Sequence, residues 1–230
     1  MDHGAEVEAV SLAVVHRGVG DCMRSLEKKD IETIKDAVRK AELKTSGEIV
    51  PVLLTKSDQY VYTHYLSALI FTLLSVVTTS YNLMELEINH LFTSCIFSII
   101  GFLLPFWSPY KRLLLTKNET DEEVRQRTLE AFYSNNLHQT KDSTGVLIFI
   151  SLLERRINII GDKGINQKVD QDFWDNEVEV LSKSIKSKKV ISGLTEVIID
   201  IGDKLEEYFP IKNDDQNELK NELVTDLKII

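Results

Sequence analysis

Two long uncharged runs constrain this chain most strongly. Residues 59–84 contain no Lys, Arg, Asp or Glu, and a second uncharged run follows at residues 88–110, after Glu85 and Glu87. A helix needs roughly 20 mostly apolar residues to cross the hydrocarbon core of a bilayer, and both runs reach that length. A core helix of a soluble protein usually keeps a charged stripe on its wet face. The runs therefore predict a transmembrane helical hairpin over residues 59–110.

The charges around the hairpin predict its orientation. The short turn carries Glu85 and Glu87, whereas Lys56 precedes the first run and Lys111, Arg112 and Lys117 follow the second. Basic residues concentrate on the cytoplasmic side of membrane spans. Both flanks are expected in the cytoplasm, which makes the chain a multi-pass protein of the cell inner membrane with a cytoplasmic soluble part.

The rest of the chain is acidic, with a net charge of -9. Nucleic-acid binding requires concentrated Lys and Arg, so no nucleic-acid partner is expected. Lys183, Lys186, Lys188 and Lys189 are interpreted as one solvated helix face. Cys22 and Cys95 lie in different environments, which argues against a structural disulfide.

Strand and helix signals alternate on both sides of the hairpin. Strands are predicted at residues 48–54, 144–151 and 156–160, with residues 152–155 as a tight reversal between the last two. Helices are predicted from Ile31 behind an Asp30 cap, from residues 118–121 with a Thr120/Glu123 capping box, and over residues 173–186 and 191–209. Pro51 favours an edge strand or a bulge.

The sequence divides into five parts. Residues 1–24 are an extension of unknown role, either a short helix or unstructured, which the mature chain need not retain. Residues 25–58 and 111–210 form one domain, since residues 25–58 alone are too few to bury a core. The hairpin at residues 59–110 is inserted after the first strand, and residues 211–230 are an acidic tail with a short helix as one option. The fold class is α/β: an α/β/α sandwich on a small mixed sheet with a two-helix transmembrane hairpin.

The strand motifs resemble those of a known family. Residues 45–53, TSGEIVPVL, and residues 144–151 with 154–165, TGVLIFIS and ERRINIIGDKGI, resemble the strands and central hairpin of TPM domains. Trp174, Gly193-Leu194 and Tyr208-Phe209-Pro210 are similar to the bacterial branch with an inserted membrane hairpin. The resemblance covers about residues 25–210 and implies an α/β/α sandwich. The family includes an acid phosphatase, photosystem II repair factors and a receptor subunit, and some members bind calcium, so the resemblance implies the fold more strongly than the function.

Polar residues gather at two ends of the predicted sheet. The end nearer the hairpin carries Lys56, Asp58, Glu154, Arg155 and Arg156, interpreted as a belt near lipid head groups. The other end carries Ser46, Glu48, Asp142, Thr144, Asp162 and Lys163. Asp142 and Asp162 flank the strand hairpin, and two carboxylates with turn carbonyls suit calcium, a cofactor that the resemblance also suggests at these loops. Aspartate is equally common as a turn former, so both interpretations stay open.

Two functions fit these observations. The first is a membrane-anchored interaction or assembly module, with the bilayer and an unidentified membrane or cytoplasmic protein as partners. The second is a weak metal-dependent acid phosphatase. The sequence contains no P-loop, no Cys-x5-Arg pattern and no histidine pair at ligand spacing, and His138 stands alone. The polar residues that could line a transport path include no Asp, Glu, Lys or Arg, which disfavours a transporter.

Overall fold

The computed structural model describes residues 9–14, 25–81, 90–211 and 222–230. Two compact units are present. The first contains the described residues of Met1–Ser57 and Asp121–Ile230, and the second is formed by those of Asp58–Thr120. The turn with Glu85 and Glu87, and Cys22, lie outside the described residues.

The first unit has a five-stranded mixed sheet. Its strands lie in the order β1-β5-β4-β3-β6, and their bounds are β1 Ala9–Val14, β3 Glu48–Leu54, β4 Gly145–Ser151, β5 Arg156–Gly161 and β6 Val224–Thr225. β3 runs parallel to β4, whereas β4 and β5 form an antiparallel hairpin. Strands β2 (Ser25–Leu26) and β7 (Lys228–Ile229) form a separate parallel pair. The mixed α/β class and the three central strands are confirmed.

Helices supply apolar side chains to both faces of the sheet. Helices α1 (Lys28–Glu42), α7 (Gln171–Lys186) and α8 (Val190–Tyr208) share one core with Ile49, Leu53 and neighbouring strand residues. Helix α5 (Lys117–Ser134) contributes Val124 and Phe132 to a second core with alternate residues of the same strands. Side chains alternate between the faces of a strand, which is why the near-continuous apolar runs of β3 and β4 serve two cores.

Several local predictions are corrected. Glu27, rather than Asp30, is the N-cap of α1, and Asp30 completes a capping box from the third helical position. Helix α5 already begins at Lys117, where Thr116 and Glu119 exchange backbone–side-chain hydrogen bonds, so the box predicted at Thr120 lies too late in the chain. Each error placed the helix start too late, because the predicted cap residue lies inside the first turn of the helix.

Both chain ends also differ from the prediction. Residues 9–14 of the N-terminal apolar run form β1, which pairs antiparallel with β5, instead of a helix or an unstructured extension. The tail adds β6 and β7 instead of a short helix. The two-residue β6 pairs with Val52 and Leu53, so β3 is one strand in from the edge and Pro51 faces no β6 residue. Asp226 fixes this arrangement, because its Oδ1 accepts from the Thr55 backbone nitrogen at 2.7 Å.

The second unit is a pair of packed helices, α2 (Tyr62–Ser80) and α3 (His90–Leu103). A 3-10 turn at Leu104–Phe106 and helix α4 (Ser108–Leu114) follow. By length and composition α2 is able to cross a membrane, and Leu91–Phe106 with Ser108–Leu114 passes the same test only as a pair bent by 101°. The second apolar run is therefore not one straight helix to Tyr110, because the chain is extended at Trp107 between Pro105 and Pro109.

Candidate functional site

Three strand ends meet at the edge of the sheet where the calcium site is predicted. Glu48 lies opposite Gly145, and its backbone nitrogen donates to the Thr144 carbonyl at 3.2 Å. The Asp162 nitrogen donates to the Gly145 carbonyl at 2.8 Å, which places Asp162 directly after β5 on the other side of β4. Directly opposed residues of neighbouring strands share a sheet face, so Glu48, Gly145 and Asp162 form one row along this edge.

Asp162 is the buried carboxylate of this edge. It is the N-cap of α6 (Lys163–Asn166), its Oδ1 accepts from the Lys163 nitrogen at 2.7 Å, and the residue is only 6% exposed. Its Oδ2 is buried and has no hydrogen-bond partner among the described residues. An unsatisfied buried carboxylate oxygen is costly, so Asp162 carries an acceptor that a cation or a donor would satisfy.

Asp142 lies on the neighbouring loop but differs in its surroundings. Its side chain is exposed, whereas Asp162 is buried. The backbones of the two loops are in close contact, because the Gly164 nitrogen donates to the Ser143 carbonyl at 3.1 Å. A Cβ at position 164 would lie 2.5 Å from the Asp142 carbonyl oxygen, which explains the glycine there. The two predicted aspartates therefore sit on loops that touch.

Asn166 is a site residue that the sequence reasoning missed. Its Nδ2 donates to the Gly161 carbonyl at 3.0 Å, while its buried Oδ1 has no hydrogen-bond partner among the described residues. It stands four positions after Asp162, a spacing that places two side chains on the same side of a helical turn. The four-residue spacing of Asp162 and Asn166 in residues 161–166, GDKGIN, is the sequence signal that could have identified Asn166.

The unsatisfied oxygens of Asp162 and Asn166 are of the chemical type that binds a hard cation. Calcium is bound by carboxylate, amide and backbone carbonyl oxygens together with water, and Asp162 Oδ2 and Asn166 Oδ1 are two buried acceptors of that kind. Within the described ranges, no group of three or more His, Cys, Asp or Glu residues is placed to hold a metal ion. Any cation at this edge would therefore depend on backbone oxygens and water for its other ligands.

A second acidic pair lies at the start of β3. The Glu42 carboxylate accepts from the Ile49 nitrogen at 3.1 Å and is hydrogen-bonded to the side chain of Glu48. Burial, with a smaller contribution from the neighbouring Glu48 charge, raises the pKa of Glu42 to about 8. A carboxyl that keeps its proton near neutral pH can donate that proton in a hydrogen bond to its partner.

Most of the other predicted polar residues have structural roles. Ser46 donates its backbone nitrogen to Phe209 and accepts from the Thr144 hydroxyl at 3.0 Å. His138 lies beside the ring of Tyr133, with ring centroids 5.0 Å apart. Lys163 supplies its backbone nitrogen to Asp162.

The prediction of a belt near lipid head groups is wrong for Glu154 and Arg156, which are buried. Glu154 and Arg156 are each only 6% exposed. Glu154 accepts from the Ser57 backbone nitrogen at 2.9 Å, and Arg156 Nε donates to Asp121. These two side chains are held inside the first unit and are not available as an exposed interfacial belt, because a desolvated charge needs its partner.

Comparisons with known proteins support the fold assignment. The model of the TPM domain family matches residues 112–204. A solved structure, the NMR structure of BA42 protein from the psychrophilic bacterium Bizionia argentinensis, is 25% identical, with a TM-score of 0.54 over 86% of this chain and 92% of BA42. No curated protein sequence matches the chain. The strand hairpin and the GDKG turn that suggested the family lie inside the matched segment, so residues 112–204 match the TPM domain family. The first unit, which contains this segment, is termed the TPM domain.

Proposed function

We propose that the protein is a membrane-anchored interaction or assembly module. Residues 59–110 insert into the bilayer as a helical hairpin, and the TPM domain stays in the cytoplasm, where it docks a membrane or cytoplasmic protein. Lys56 before the hairpin and Lys111, Arg112 and Lys117 after it support this orientation. The location is the inner membrane of a bacterial cell.

The inverted burial of the second unit is the observation that carries the proposal. Thr63, Ser67 and Ser75 are almost fully buried in the helix pair. Large apolar side chains cover its outside, including Leu66, Leu69, Ile70, Leu73, Leu91, Phe92, Ile99 and Ile100. In water this arrangement would expose far more contiguous apolar surface than a soluble monomer tolerates. In lipid it is favourable, because small residues allow close helix packing while apolar residues meet the acyl chains.

Contacts within the pair support the same conclusion. Ser75 and Ser94 are hydrogen-bonded at 3.2 Å, and a His64 ring nitrogen lies 2.9 Å from the Phe102 carbonyl oxygen. A Cβ at Gly101 would lie 2.7 Å from the Ser67 carbonyl, so the two backbones approach closely at this glycine. Polar side chains are paired across the interface, which is the arrangement required where no water is available.

Vesicle flotation tests the anchor. We expect the parent chain to float with lipid vesicles after an alkaline carbonate wash. Leu73→Lys/Val77→Lys places two charges on the outer face of α2, and this variant should lose carbonate resistance. Glu122→Lys/Glu130→Lys alters exposed positions of α5 and serves as the matched control. Release of the parent by carbonate would contradict the anchor.

The docking role is tested by cross-linking in native membranes. A photoreactive group at exposed positions of the TPM domain, such as Tyr133 and Leu43, should give one defined partner band. The same group on the hairpin is the control for contacts made by the anchor alone. A ladder without a preferred partner at every domain position would contradict an assembly module.

A weak metal-dependent phosphatase is the second candidate, favoured by the unsatisfied Oδ2 of Asp162. Asp162 and Asn166, with Asp142 on the adjoining loop, would hold calcium there. A bound cation supplies charge stabilisation to a phosphoryl group and lowers the pKa of a bound water. The chain's own contribution would be to position that cation at the end of β5, where Asp162 is fixed by the Lys163 nitrogen.

Calcium titration separates the two functions. The unfolding midpoint of the detergent-solubilised parent should rise with calcium, whereas Asp142→Asn/Asp162→Asn should not respond. Asp175→Asn, an exposed position on α7, is the charge-matched control. Hydrolysis of a simple phosphomonoester that requires calcium and disappears in the double variant would establish the phosphatase. An unchanged midpoint in the parent would remove the metal-dependent candidate and leave the interaction module.

A further inference from the structure

Helix α4 turns sharply away from the helix pair at the end of α3. Its axis differs by 101° from that of Leu91–Phe106. The break is built into the sequence, because Trp107 is extended (φ -84°, ψ 112°) and Pro109 lies within the first turn of α4. If α3 crosses a bilayer, a helix bent by about a right angle at its end lies along the surface.

The exposed side chains around this bend are those of a membrane interface. Trp107 is 65% exposed and Leu113 is 79% exposed, and Phe106 beside them is exposed as well. Tyr62 and Tyr65 at the start of α2 are also exposed. They belong to the same end of the pair, because His64 contacts the carbonyl of Phe102. Trp and Tyr are enriched where acyl chains meet head groups.

Basic groups accompany this apolar surface. Lys111 and Arg112 occupy the last turn of α4, and Lys117 follows three residues after the helix. Lys111 Nζ donates to the Gln59 carbonyl at 3.0 Å, which ties α4 to the chain entering α2. Arg112 Nη1 is buried and has no hydrogen-bond partner among the described residues. A phosphate is an acceptor that suits an arginine.

We propose that α4 is an interfacial helix that binds anionic lipid head groups, with Trp107 and Leu113 inserted at the acyl boundary and Arg112 and Lys117 on the phosphates. This inference rests on the proposed membrane anchor, and it adds a lipid-binding site that the anchor alone does not require. The occupant is the bilayer surface, because exposed apolar side chains beside basic ones are the composition of a helix that lies in the head-group region.

Fluorescence quenching by brominated lipid locates α4 and the span separately. The parent has Trp107 and the buried Trp174, which is out of reach of lipid. We expect bromines placed near the head group to quench Trp107 more than bromines at the chain end, and Trp107→Phe to abolish this signal. In Ile96→Trp/Trp107→Phe the new indole lies within α3, and the deeper bromines should quench it more.

The outcomes distinguish the two proposals. Quenching of the Ile96→Trp variant without quenching of Trp107 in the parent would overturn the interfacial helix and leave the anchor intact. Absence of quenching in both would overturn both. Quenching at both positions, shallow for Trp107 and deep for Ile96→Trp, supports both.

The charge contribution is tested by lipid selectivity. Brominated phosphatidylglycerol should quench Trp107 at lower mole fraction than brominated phosphatidylcholine. Arg112→Gln should weaken that preference about fivefold, as expected for one basic residue at an anionic surface. Arg125→Gln removes an arginine that is paired with Glu122 and should keep the preference. Equal quenching by both lipids in the parent would overturn the anionic-lipid site.

Discussion

The two units of this protein bury opposite kinds of side chains. The TPM domain buries Leu147, Phe149 and Trp174, whereas the helix pair buries Thr63 and Ser67 and exposes its leucines. Both arrangements follow from the same rule, that a side chain is placed according to the medium around the fold. The contrast is the one expected if the proposed membrane anchor holds and the two units of one chain lie in different media.

The largest difference between the units should appear on truncation of a leucine. Leu147→Ala removes a fully buried side chain and should lower the free energy of unfolding of the TPM domain by about 2–5 kcal/mol. Leu73→Ala removes a side chain that is 56% exposed, and it should change the free energy of unfolding of the helix pair by less than about 0.5 kcal/mol. Denaturant unfolding of the detergent-solubilised chain, followed by circular dichroism, measures both, and similar losses would contradict the contrast.

The close approach at Gly101 should be the next most sensitive point. A Cβ added at Gly101 would lie within 3 Å of the Ser67 carbonyl oxygen and of Phe71 Cβ. The larger side chain of Gly101→Leu therefore forces the two helices apart. Overpacking of this kind typically costs about 1–3 kcal/mol. Disulfide yield between Ser75→Cys and Ser94→Cys, in a Cys22→Ser/Cys95→Ala background, reports the pairing. Ile100→Leu, on the exposed face, is the control, and an unchanged yield in Gly101→Leu would exclude tight packing there.

The Glu42–Glu48 pair should make the stability of the TPM domain depend on pH. The pKa of Glu42 in the fold is about 8, above its ordinary value of 4.5, so the protonated form is the one that stabilises the domain. This stabilisation is complete below about pH 4.5 and is lost as the pH rises through about 8. Glu42→Gln, which cannot ionise, should flatten the profile and stabilise the domain by up to about 5 kcal/mol at alkaline pH.

Thermal unfolding across that pH range measures the effect of Glu42→Gln. Glu32→Gln changes an exposed glutamate of the same helix and should keep the parent's pH dependence. An identical slope in the parent and in Glu42→Gln would show that Glu42 ionises normally in the fold.

The smallest effect is expected from the hydrogen bond across the helix pair. Ser75→Ala removes the contact with Ser94 and should weaken the pair by about 0.6 kcal/mol, a typical value for such bonds in membranes. Ser80→Ala is the matched control, since within the described ranges the Ser80 hydroxyl donates to the Val76 carbonyl of its own helix and makes no bond to α3. Unfolding of the helix pair in mixed micelles measures the difference. Equal unfolding midpoints for Ser75→Ala and Ser80→Ala would show that the Ser75–Ser94 hydrogen bond does not stabilise the pair.

Much of the TPM domain could be predicted because its signals are local. The buried runs of β3 and β4, the reversal before β5 and the apolar spacing of α7 and α8 each reflect a single element. The pairings of β1 and β6 could not be predicted. Edge strands have weak patterns of their own and are fixed by the strands they join, Arg156–Ile160 for β1 and Val52–Leu53 for β6.

The candidate site was only partly predictable for a similar reason. The turn chemistry after β5 identified Asp162, but its burial depends on packing between the two loops at Gly164. Asp142 lies on the right loop with an exposed side chain, and Asn166 became visible only through its position on α6. In the helix pair, the bend at Trp107 could not be predicted, because the presence of Pro105 and Pro109 in an apolar run does not determine the angle between the flanking helices.

Cys95 offers the most direct test of the central claim, that the exposed apolar surface of the helix pair faces lipid. Its side chain lies on the outside of α3. In a Cys22→Ser background, we expect no labelling of Cys95 by a membrane-impermeant maleimide in opened vesicles, and rapid labelling after denaturation in SDS. Glu122→Cys, in a chain lacking both native cysteines, should label at once in the same vesicles. Labelling of Cys95 as fast as that of Glu122→Cys before denaturation would place α3 in water and contradict the membrane anchor.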